Sequence, residues 1–270
     1  MEPELLNPRA VRRTFDRVAS LYDGHAALEQ EVASRLLDRL EFHRITPQRI
    51  VDLGCGTGQA SASLKSRFRK AEVIGLDSSR AMLAQLRHRS GVLRRLRAVC
   101  ADMSALPLAD QSSELLFSNL AMHWCPDPVS LFAEFRRVLT PGGMLLFSSF
   151  GPGSLRELKT AWAEADGTAQ TMEFVDILQL GDALMAAGFQ EPVMDAERIT
   201  VSYPDIDSLV RELEATGTSG FLRGRTSLAE AKDDLETTYE QFRIEGRYPV
   251  TYEIIYGIAF VFCQIAPARL

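Results

Sequence analysis

A glycine-rich turn constrains this chain more than any other feature of its sequence. The run Val51-Asp52-Leu53-Gly54-Cys55-Gly56-Thr57-Gly58 follows a short apolar segment at 49–53 and opens a helix predicted over 57–68. Glycines let the chain turn tightly and bring its backbone against a ligand. The N-terminus of the following helix offers free N–H groups and partial positive charge. The run therefore predicts a strand, a turn and a helix that together bind a ligand carrying an anionic group.

Predicted strands and helices alternate along the first 150 residues. Helices separate most of the strands, and Pro141-Gly142-Gly143 is expected to end the last helix; the strands are 49–53, 72–76, 96–101, 115–118 and 144–150, and the helices are 57–68, 79–89 and 129–139. Further strands are predicted at 190–203 and 250–263. Such βαβ crossovers are right-handed and place helices on both faces of the sheet. We expect a doubly wound α/β fold with a seven-stranded, mostly parallel sheet.

Helical segments before and after the alternating region predict a cap over the sheet. Apolar residues recur at helical spacing within 10–41, namely Leu28, Val32, Leu36, Leu37 and Leu40. Helices are also predicted at 154–165, at 177–187 with Gly188 as its end, and over most of 205–247. We therefore divide the chain into a helical cap segment, an α/β core with a helical insertion at about 151–176, a second cap insertion and a final core strand. The bounds are 1–44, 45–203, 204–248 and 249–270.

Polar side chains follow the predicted strands. Asp77 ends the second strand, where its carboxylate can accept hydrogen bonds from both hydroxyls of a ribose. Asp102 follows the third strand and can accept from an exocyclic adenine amine, and Asn119 ends the fourth. Open α/β sheets bind ligands at these carboxyl ends. The alternatives are that Asp52 only caps a turn, that Asp102 is a surface residue, and that the glycines form a simple tight connection.

These motifs together resemble those of class I S-adenosylmethionine-dependent methyltransferases over about residues 45–150. The spacing D-x-G-x-G-x-G differs from the G-x-G-x-x-G of dinucleotide enzymes. The resemblance implies S-adenosyl-L-methionine as cofactor, S-adenosyl-L-homocysteine as product and no metal. It also implies that Asn119 lies beside the sulfonium. The implied cofactor-binding residues are Asp52, Gly54, Cys55, Gly56, Gly58, Asp77, Ser78, Met82, Asp102, Met103, Asn119 and Leu120.

Longer motifs narrow the resemblance to one family. The runs are Ser118-Asn119-Leu120-Ala121-Met122-His123-Trp124-Cys125, Phe150-Gly151-Pro152-Gly153-Ser154-Leu155-Arg156-Glu157-Leu158 and Arg247-Tyr248-Pro249-Val250-Thr251-Tyr252-Glu253-Ile254-Ile255-Tyr256-Gly257. They resemble the malonyl-acyl-carrier-protein O-methyltransferases of biotin synthesis over nearly the whole chain. This implies methyl ester formation on the free carboxylate of a malonyl thioester, with an acyl-carrier protein as partner. Residues 15–23 resemble the helix that folds over the cofactor in small-molecule methyltransferases.

The chemistry implied by this resemblance does not need a dedicated base. A malonyl carboxylate is already ionised at neutral pH, so methyl transfer requires in-line placement, desolvation and exclusion of water. The candidates for holding the acceptor are Tyr22, His123, Trp124 and Arg156. For each we also consider a structural role: a packed aromatic for Tyr22, a satisfied polar residue for His123, a pocket wall for Trp124 and a surface helix position for Arg156.

Several cap residues depart from the family pattern. The chain has Glu29 where a glutamine is common, Gln170 and Met172 where many members carry His-x-Asn, and Glu214 where they carry lysine. These changes lie on the expected acceptor side, whereas the cofactor motifs are intact. Methylation of another small carboxylate therefore stays open. A second alternative is an S-adenosylmethionine-binding assembly factor without methyl transfer, because the C-terminal half also resembles a respiratory-complex assembly factor of the same superfamily.

The acidic composition argues against a nucleic-acid-binding protein. The net charge of −6 disfavours nonspecific nucleic-acid binding. Several basic clusters are either solvated surface residues or a surface for an acidic partner, namely Lys65 to Lys70, Arg87 with Arg89, Arg94 to Arg97, and Arg223 with Arg225.

The cysteines and apolar segments predict an unanchored protein without a metal site. Cys55, Cys100, Cys125 and Cys263 lack metal-ligand spacing, and we expect buried reduced thiols. The N-terminal segment has no apolar run, and 252–263 is too short to span a bilayer, so we expect a cytoplasmic protein without a membrane partner.

Overall fold

The computed structural model describes residues 7–91, 95–165, 167, 170–223 and 227–262. Nine strands occur in these ranges: β1 (Arg49–Leu53), β2 (Glu72–Asp77), β3 (Arg97–Cys100), β4 (Ser113–Ser118), β5 (Leu139–Phe150), β6 (Gln170–Thr171), β7 (Gln190–Tyr203), β8 (Leu222–Arg223) and β9 (Tyr248–Phe260). Seven of them form one sheet in the order β3-β2-β1-β4-β5-β9-β7. The pairs from β3 to β5 are parallel, and β9 is antiparallel to both β5 and β7. This confirms the predicted seven-stranded, mostly parallel sheet.

Helices cover both faces of the sheet, as in a doubly wound fold. Nine are described: α1 (Pro8–Val18), α2 (Ala27–Asp38), α3 (Gln59–Arg67), α4 (Arg80–Arg89), α5 (Pro128–Val138), α6 (Arg156–Ala165), α7 (Ile177–Ala186), α8 (Ile206–Ala215) and α9 (Lys232–Tyr239). Short polar side chains cap several of them; Ser79, for example, accepts a hydrogen bond from the backbone N–H of Met82. Gly188 ends α7 in a left-handed conformation, as the sequence predicts.

The hydrophobic core consists of two layers, one on each side of the sheet. Along β5, Met144 and Leu146 pack into one layer while Leu145 and Phe147 pack into the other. This alternation follows from the two-residue repeat of a strand, and both faces are apolar because helices cover both. Helices α2, α3 and α4 pack against the first layer, and α5 and α7 against the second.

The Pro141-Gly142-Gly143 segment does not end the preceding helix, which corrects one prediction. Helix α5 already ends at Val138, and the three residues lie inside β5. Gly142 adopts φ 81°, and Gly143 accepts a hydrogen bond from the backbone N–H of Val261. Pairing with the neighbouring strand therefore extends β5 through a segment whose composition favours a turn.

The described cysteines are free, but they are not all buried as predicted. Cys55 is buried, Cys125 is half-buried and Cys100 is exposed. Cys100 ends β3, which lies at the edge of the sheet and contains no fully buried residue. Cys263 lies outside the described residues.

The two insertions after β5 contact each other. Strand β6, from the first insertion, pairs with β8, from the second. Thr238 of α9 donates to the carbonyl of Ala161 in α6 at 2.8 Å. The second insertion also reaches α1, since a methyl group placed on Gly217 would lie 3.1 Å from the Phe15 ring. The cap segments are thus assembled from distant parts of the chain. No helix in the described ranges is long and apolar enough to cross a membrane.

Candidate active site

A large pocket opens at the carboxyl ends of the parallel strands, where the sequence predicts the ligand. Its wall brings together the glycine turn, the residues after β2, β3 and β4, and the inner side of α1. We call it the main pocket; its lining includes Pro8, Val11, Phe15, Tyr22, Gly54, Gly56, Asp77, Ser78, Met82, Asp102, Met103, Asn119, Leu120 and Trp124. Most of the predicted cofactor residues are therefore neighbours in one cavity, although 21 residues separate Gly56 from Asp77.

The three glycines of the turn have different roles. All have positive φ, at 66° for Gly54, 52° for Gly56 and 81° for Gly58. A methyl group on Gly54 would lie 2.3 Å from the Cβ of Ala121, whereas one on Gly56 would meet nothing within 4 Å. Gly58 does not line the main pocket but packs against Leu86 of α4. The absence of a side chain at Gly54 thus lets the turn approach Ala121 closely, and its absence at Gly58 lets α4 pack against the turn through Leu86.

Asp77 joins two loops as well as lining the main pocket. Its Oδ2 accepts from the backbone N–H of Gly56 at 2.9 Å, and its Oδ1 accepts from the backbone N–H of Ser79 at 2.8 Å. Burial raises the pKa of this carboxyl to about 6. Each carboxylate oxygen has two lone pairs, so both can still accept from ribose hydroxyls. The arrangement fits the role implied by the resemblance and adds an anchoring role that the sequence did not indicate.

Asp52 and Cys55 lie behind the glycine turn and do not reach the main pocket. Asp52 is fully buried and accepts from the Ser61 hydroxyl at 2.5 Å. Burial raises its pKa to about 7. The Cys55 thiol is buried in the core near Gly75. Both residues instead border a smaller cavity, the inner recess, together with Tyr22, Glu29, Gln30, Gly54, Gly56, Thr57 and Asn119.

Asp102 and Asn119 both line the main pocket, and neighbouring residues hold each of them. The Oδ1 of Asp102 accepts from both the backbone and the hydroxyl of Ser104, at 2.9 and 2.7 Å. Asn119 borders the inner recess as well, and its side-chain amide donates to the carbonyl of Glu29 at 3.0 Å. Its Oδ1 accepts from Ser148 at 2.9 Å. The side chain that follows β4 is therefore held in place by α2 and β5.

The acceptor candidates Tyr22 and Trp124 line the main pocket, but His123 does not. Trp124 packs between Phe15 and Phe221, with ring centroids 5.6 and 4.6 Å away. His123 borders a separate side recess. Its Nδ1 is buried without a hydrogen-bond partner among the described residues. Burial lowers the pKa of His123 to about 3, so the ring is neutral and cannot provide a positive charge near pH 7.

Arg156 lies on the surface and lines none of these three cavities. Its side chain is 63% exposed and pairs with Glu157 at 2.9 Å. Glu157 is buried and also accepts from the backbone and hydroxyl of Thr251 in β9. This corrects the expectation that Arg156 holds the acceptor. The Thr251 contacts fix the Glu157 carboxylate against the sheet, and the Arg156 guanidinium pairs with it from the solvent side.

Two aspartates that the sequence analysis did not single out attach the N-terminal segment to the core. Asp16 of α1 accepts from the Ser79 hydroxyl at 2.7 Å and from the backbone N–H of Ala81 at 3.2 Å. Asp23 accepts from Thr57 at 2.6 Å and pairs with Arg89. Both residues lie in the 15–23 segment, but their partners are 34 to 66 positions away. These contacts hold α1 over the main pocket.

Of the four departures from the family pattern, Glu29 borders a described cavity. Gln170 and Glu214 are exposed, and Met172 is buried in the core. Glu29 lines the inner recess, and burial raises its pKa from 4.5 to about 7, with the Glu212 carboxylate contributing. The buried hydroxyl of Tyr203 donates to Glu212 at 2.5 Å. The departure at position 29 therefore places a carboxyl group that binds a proton near neutral pH beside the inner recess.

Glu29→Gln is expected to make the protein less sensitive to alkaline pH. Because the folded pKa is raised, the stabilising effect of protonation is fully present below about pH 4.5 and is lost as the pH rises through about 7. The variant stays neutral, so its stability relative to the parent should increase by up to about 3 kcal/mol between about pH 5 and about pH 8. Urea unfolding of both proteins at the two pH values measures this, and an equal difference at both would contradict it.

Comparisons with known proteins show what the chain is similar to. The methyltransferase domain family matches residues 51–147. The chain is 40% identical to a malonyl-acyl-carrier-protein O-methyltransferase of Methylovorus sp., over 95% of this chain and 90% of that protein. It is 43% identical to the protein of that name from Halorhodospira halophila, over 96% and 90%.

A solved structure shows the same fold. Phosphoethanolamine N-methyltransferase 2 of Haemonchus contortus, in complex with phosphomonomethylethanolamine and S-adenosylhomocysteine, superposes with a TM-score of 0.60 at 20% identity, over 94% of this chain and 60% of that one. At this identity the likeness supports the fold, whereas the two relatives match almost end to end. The chain therefore belongs to the malonyl-acyl-carrier-protein O-methyltransferase family.

Proposed function

We propose that this chain methylates the free carboxylate of a malonyl thioester carried by an acyl-carrier protein, as a step of biotin synthesis. The chain is an S-adenosyl-L-methionine-dependent methyltransferase. The observation that carries the proposal is the main pocket, which brings together the glycine turn, Asp77, Asp102 and Asn119. The relatives of the chain are named malonyl-acyl-carrier-protein O-methyltransferases. When bound, the cofactor supplies a methyl group on a positively charged sulfur.

The residues of the main pocket suit the parts of that cofactor. We assign the ribose to Asp77, since its two oxygens are held in place by backbone N–H groups. Asp102 and Met103 line the pocket beyond it and would hold the adenine. The backbone at Gly54 and Gly56 connects the main pocket with the inner recess, where the methionine end fits. Asn119 borders both cavities and would lie beside the reacting sulfur.

The acceptor side is an aromatic enclosure that excludes water. Phe15, Trp124 and Phe221 meet where α1 and the second cap insertion approach each other. Burial raises the pKa of the Tyr22 hydroxyl well above its usual value, so this group stays protonated and can donate a hydrogen bond to the acceptor carboxylate. A carboxylate is already ionised, so the neutral His123 is not needed as a base. We therefore assign positioning and desolvation, not proton transfer, to these residues.

Mass spectrometry of malonyl-carrier protein tests the proposal. Incubation with the protein and S-adenosyl-L-methionine should add the mass of one methylene group, and an esterase should remove it. Acetyl-carrier protein lacks the free carboxylate and should gain nothing. Turnover of free dicarboxylates without turnover of the carrier-bound substrate would favour a different small-molecule methyltransferase. Cofactor binding with no methylated product from any acid would favour the assembly-factor function.

A further inference from the structure

Helix α1 presents one face composed largely of arginine. Arg12 and Arg13 follow Arg9 by three and four residues, Arg17 follows Arg13 by four, and all four are exposed. At 3.6 residues per turn this spacing places them on a single side of the helix. Arg80, the first residue of α4, is also exposed. It lies beside α1, because Asp16 of α1 accepts a hydrogen bond from the backbone N–H of the next residue, Ala81. We call these five residues the arginine face.

The arginine face is not neutralised by the described part of the protein. None of its five side chains forms an ion pair with a described acidic residue, whereas Arg35, Arg39 and Arg137 each do. Asp16, which lies among the five arginines, accepts hydrogen bonds from Ser79 and Ala81. The whole chain carries a net charge of −6. Against the one carboxylate of Asp16, the five guanidinium groups leave a local excess of four positive charges. In an acidic protein such an excess indicates a surface for an anionic partner.

The same helix forms the wall of the main pocket. Pro8, Val11 and Phe15 lie on the opposite side of α1 and line that cavity. A macromolecule seated on the arginine face would therefore lie at the edge of the active site. The basic pair Arg69 and Lys70, by contrast, precedes β2 and so lies at the amino edge of the sheet, away from the pocket.

We propose that the arginine face docks the acidic carrier protein that presents the acceptor, an inference that rests on the proposed function. Arginine forms two parallel hydrogen bonds with a carboxylate, which suits a partner whose surface is rich in aspartate and glutamate. Exposed charges of this kind increase the rate at which the two proteins meet and fix the orientation of the carrier protein on the enzyme. They contribute little to the methyl-transfer step itself. The thioester arm can then enter the main pocket past α1.

Charge reversal separates docking from catalysis. Arg12→Glu/Arg13→Glu should raise KM for malonyl-carrier protein by about 10-fold or more while kcat changes by less than about 2-fold. With malonyl-pantetheine, which has the arm but no protein surface, kcat/KM should stay unchanged. Arg69→Glu/Lys70→Glu makes the same charge change at the far edge and should behave like the parent. Raising the salt concentration should reduce the difference between parent and Arg12/Arg13 variant.

A binding measurement keeps the test independent of turnover. Fluorescence anisotropy of labelled malonyl-carrier protein, with S-adenosylhomocysteine present, should show weaker binding to the Arg12/Arg13 variant than to the parent and the control. Equal weakening in both double variants would overturn the proposal, because net charge alone would explain it. So would an equal loss with malonyl-pantetheine, or binding of anionic vesicles but not of the carrier protein. If the parent binds the carrier protein through this face but forms no ester, the proposed function fails and the docking surface stands.

Discussion

Replacing Asp77 with alanine is expected to lower the affinity for S-adenosyl-L-methionine by at least about 100-fold. The carboxylate accepts hydrogen bonds from Gly56 and Ser79 and is the group assigned to the ribose. Hydrogen bonds to charged groups contribute about 1.5–3 kcal/mol each, and every 1.4 kcal/mol is about tenfold in affinity. Loss of this group removes contacts to the ligand and also frees both loops that form the pocket. Isothermal titration calorimetry with the cofactor measures the change.

Asp110→Ala is the matched control for this experiment. Asp110 is an exposed aspartate that pairs with Arg137 at 2.6 Å and does not line the main pocket. Its removal should leave cofactor affinity within about 2-fold of the parent, since an exposed ion pair is worth about 0–1 kcal/mol and lies away from the ligand. A folded Asp77→Ala protein that binds the cofactor as tightly as the Asp110 variant would show that Asp77 does not hold the ribose.

The second large effect is expected for Gly54→Ala. The new methyl group would lie 2.3 Å from the Cβ of Ala121 and 3.1 Å from the Met103 side chain, and φ is 66°. Left-handed backbone costs about 1–2 kcal/mol for a residue other than glycine, and overpacking costs about 1–3 kcal/mol. The free energy of unfolding should therefore fall by about 2–5 kcal/mol, and displacement of Ala121 or Met103 should reduce cofactor binding. Urea unfolding monitored by circular dichroism gives the first quantity.

Gly56→Ala distinguishes the two causes. Gly56 also has a positive φ, 52°, but an added methyl group would meet nothing within 4 Å. This variant should lose only the backbone contribution of about 1–2 kcal/mol. If Gly54→Ala and Gly56→Ala destabilise the protein equally, the close approach between the turn and Ala121 is not a significant constraint.

The motifs at the strand ends were readable in the sequence because each depends on near neighbours. A glycine turn between a strand and a helix needs only its own residues, and Asp77 and Asn119 are placed by the strands they follow. Parallel strands put their carboxyl ends at one edge, so these residues converge whatever lies between them. This is why most predicted cofactor residues line one cavity. The exceptions are Asp52 and Cys55, which are buried behind the turn, and Gly58, which packs against Leu86.

The acceptor side was predicted less well because its contacts join distant segments. Arg156 has the right chemistry for a carboxylate, but Glu157 and Thr251, 94 residues apart, decide where it points. His123 stands in a promising motif, yet surrounding aromatic rings keep it neutral and outside the main pocket. Arg225 and Arg94 lie outside the described residues.

Short-range pattern is enough to specify the alternating elements, the glycine turn and the strand-end acids. Backbone conformation and the periodicities of strands and helices, about 2 and 3.6 residues, are local properties. The burial of Glu29, the outward pairing of Arg156 and the position of the arginine face beside the pocket depend on which helices pack together. Burial and long-range pairing arise only when remote segments exclude water from one another, so the folded arrangement decides them.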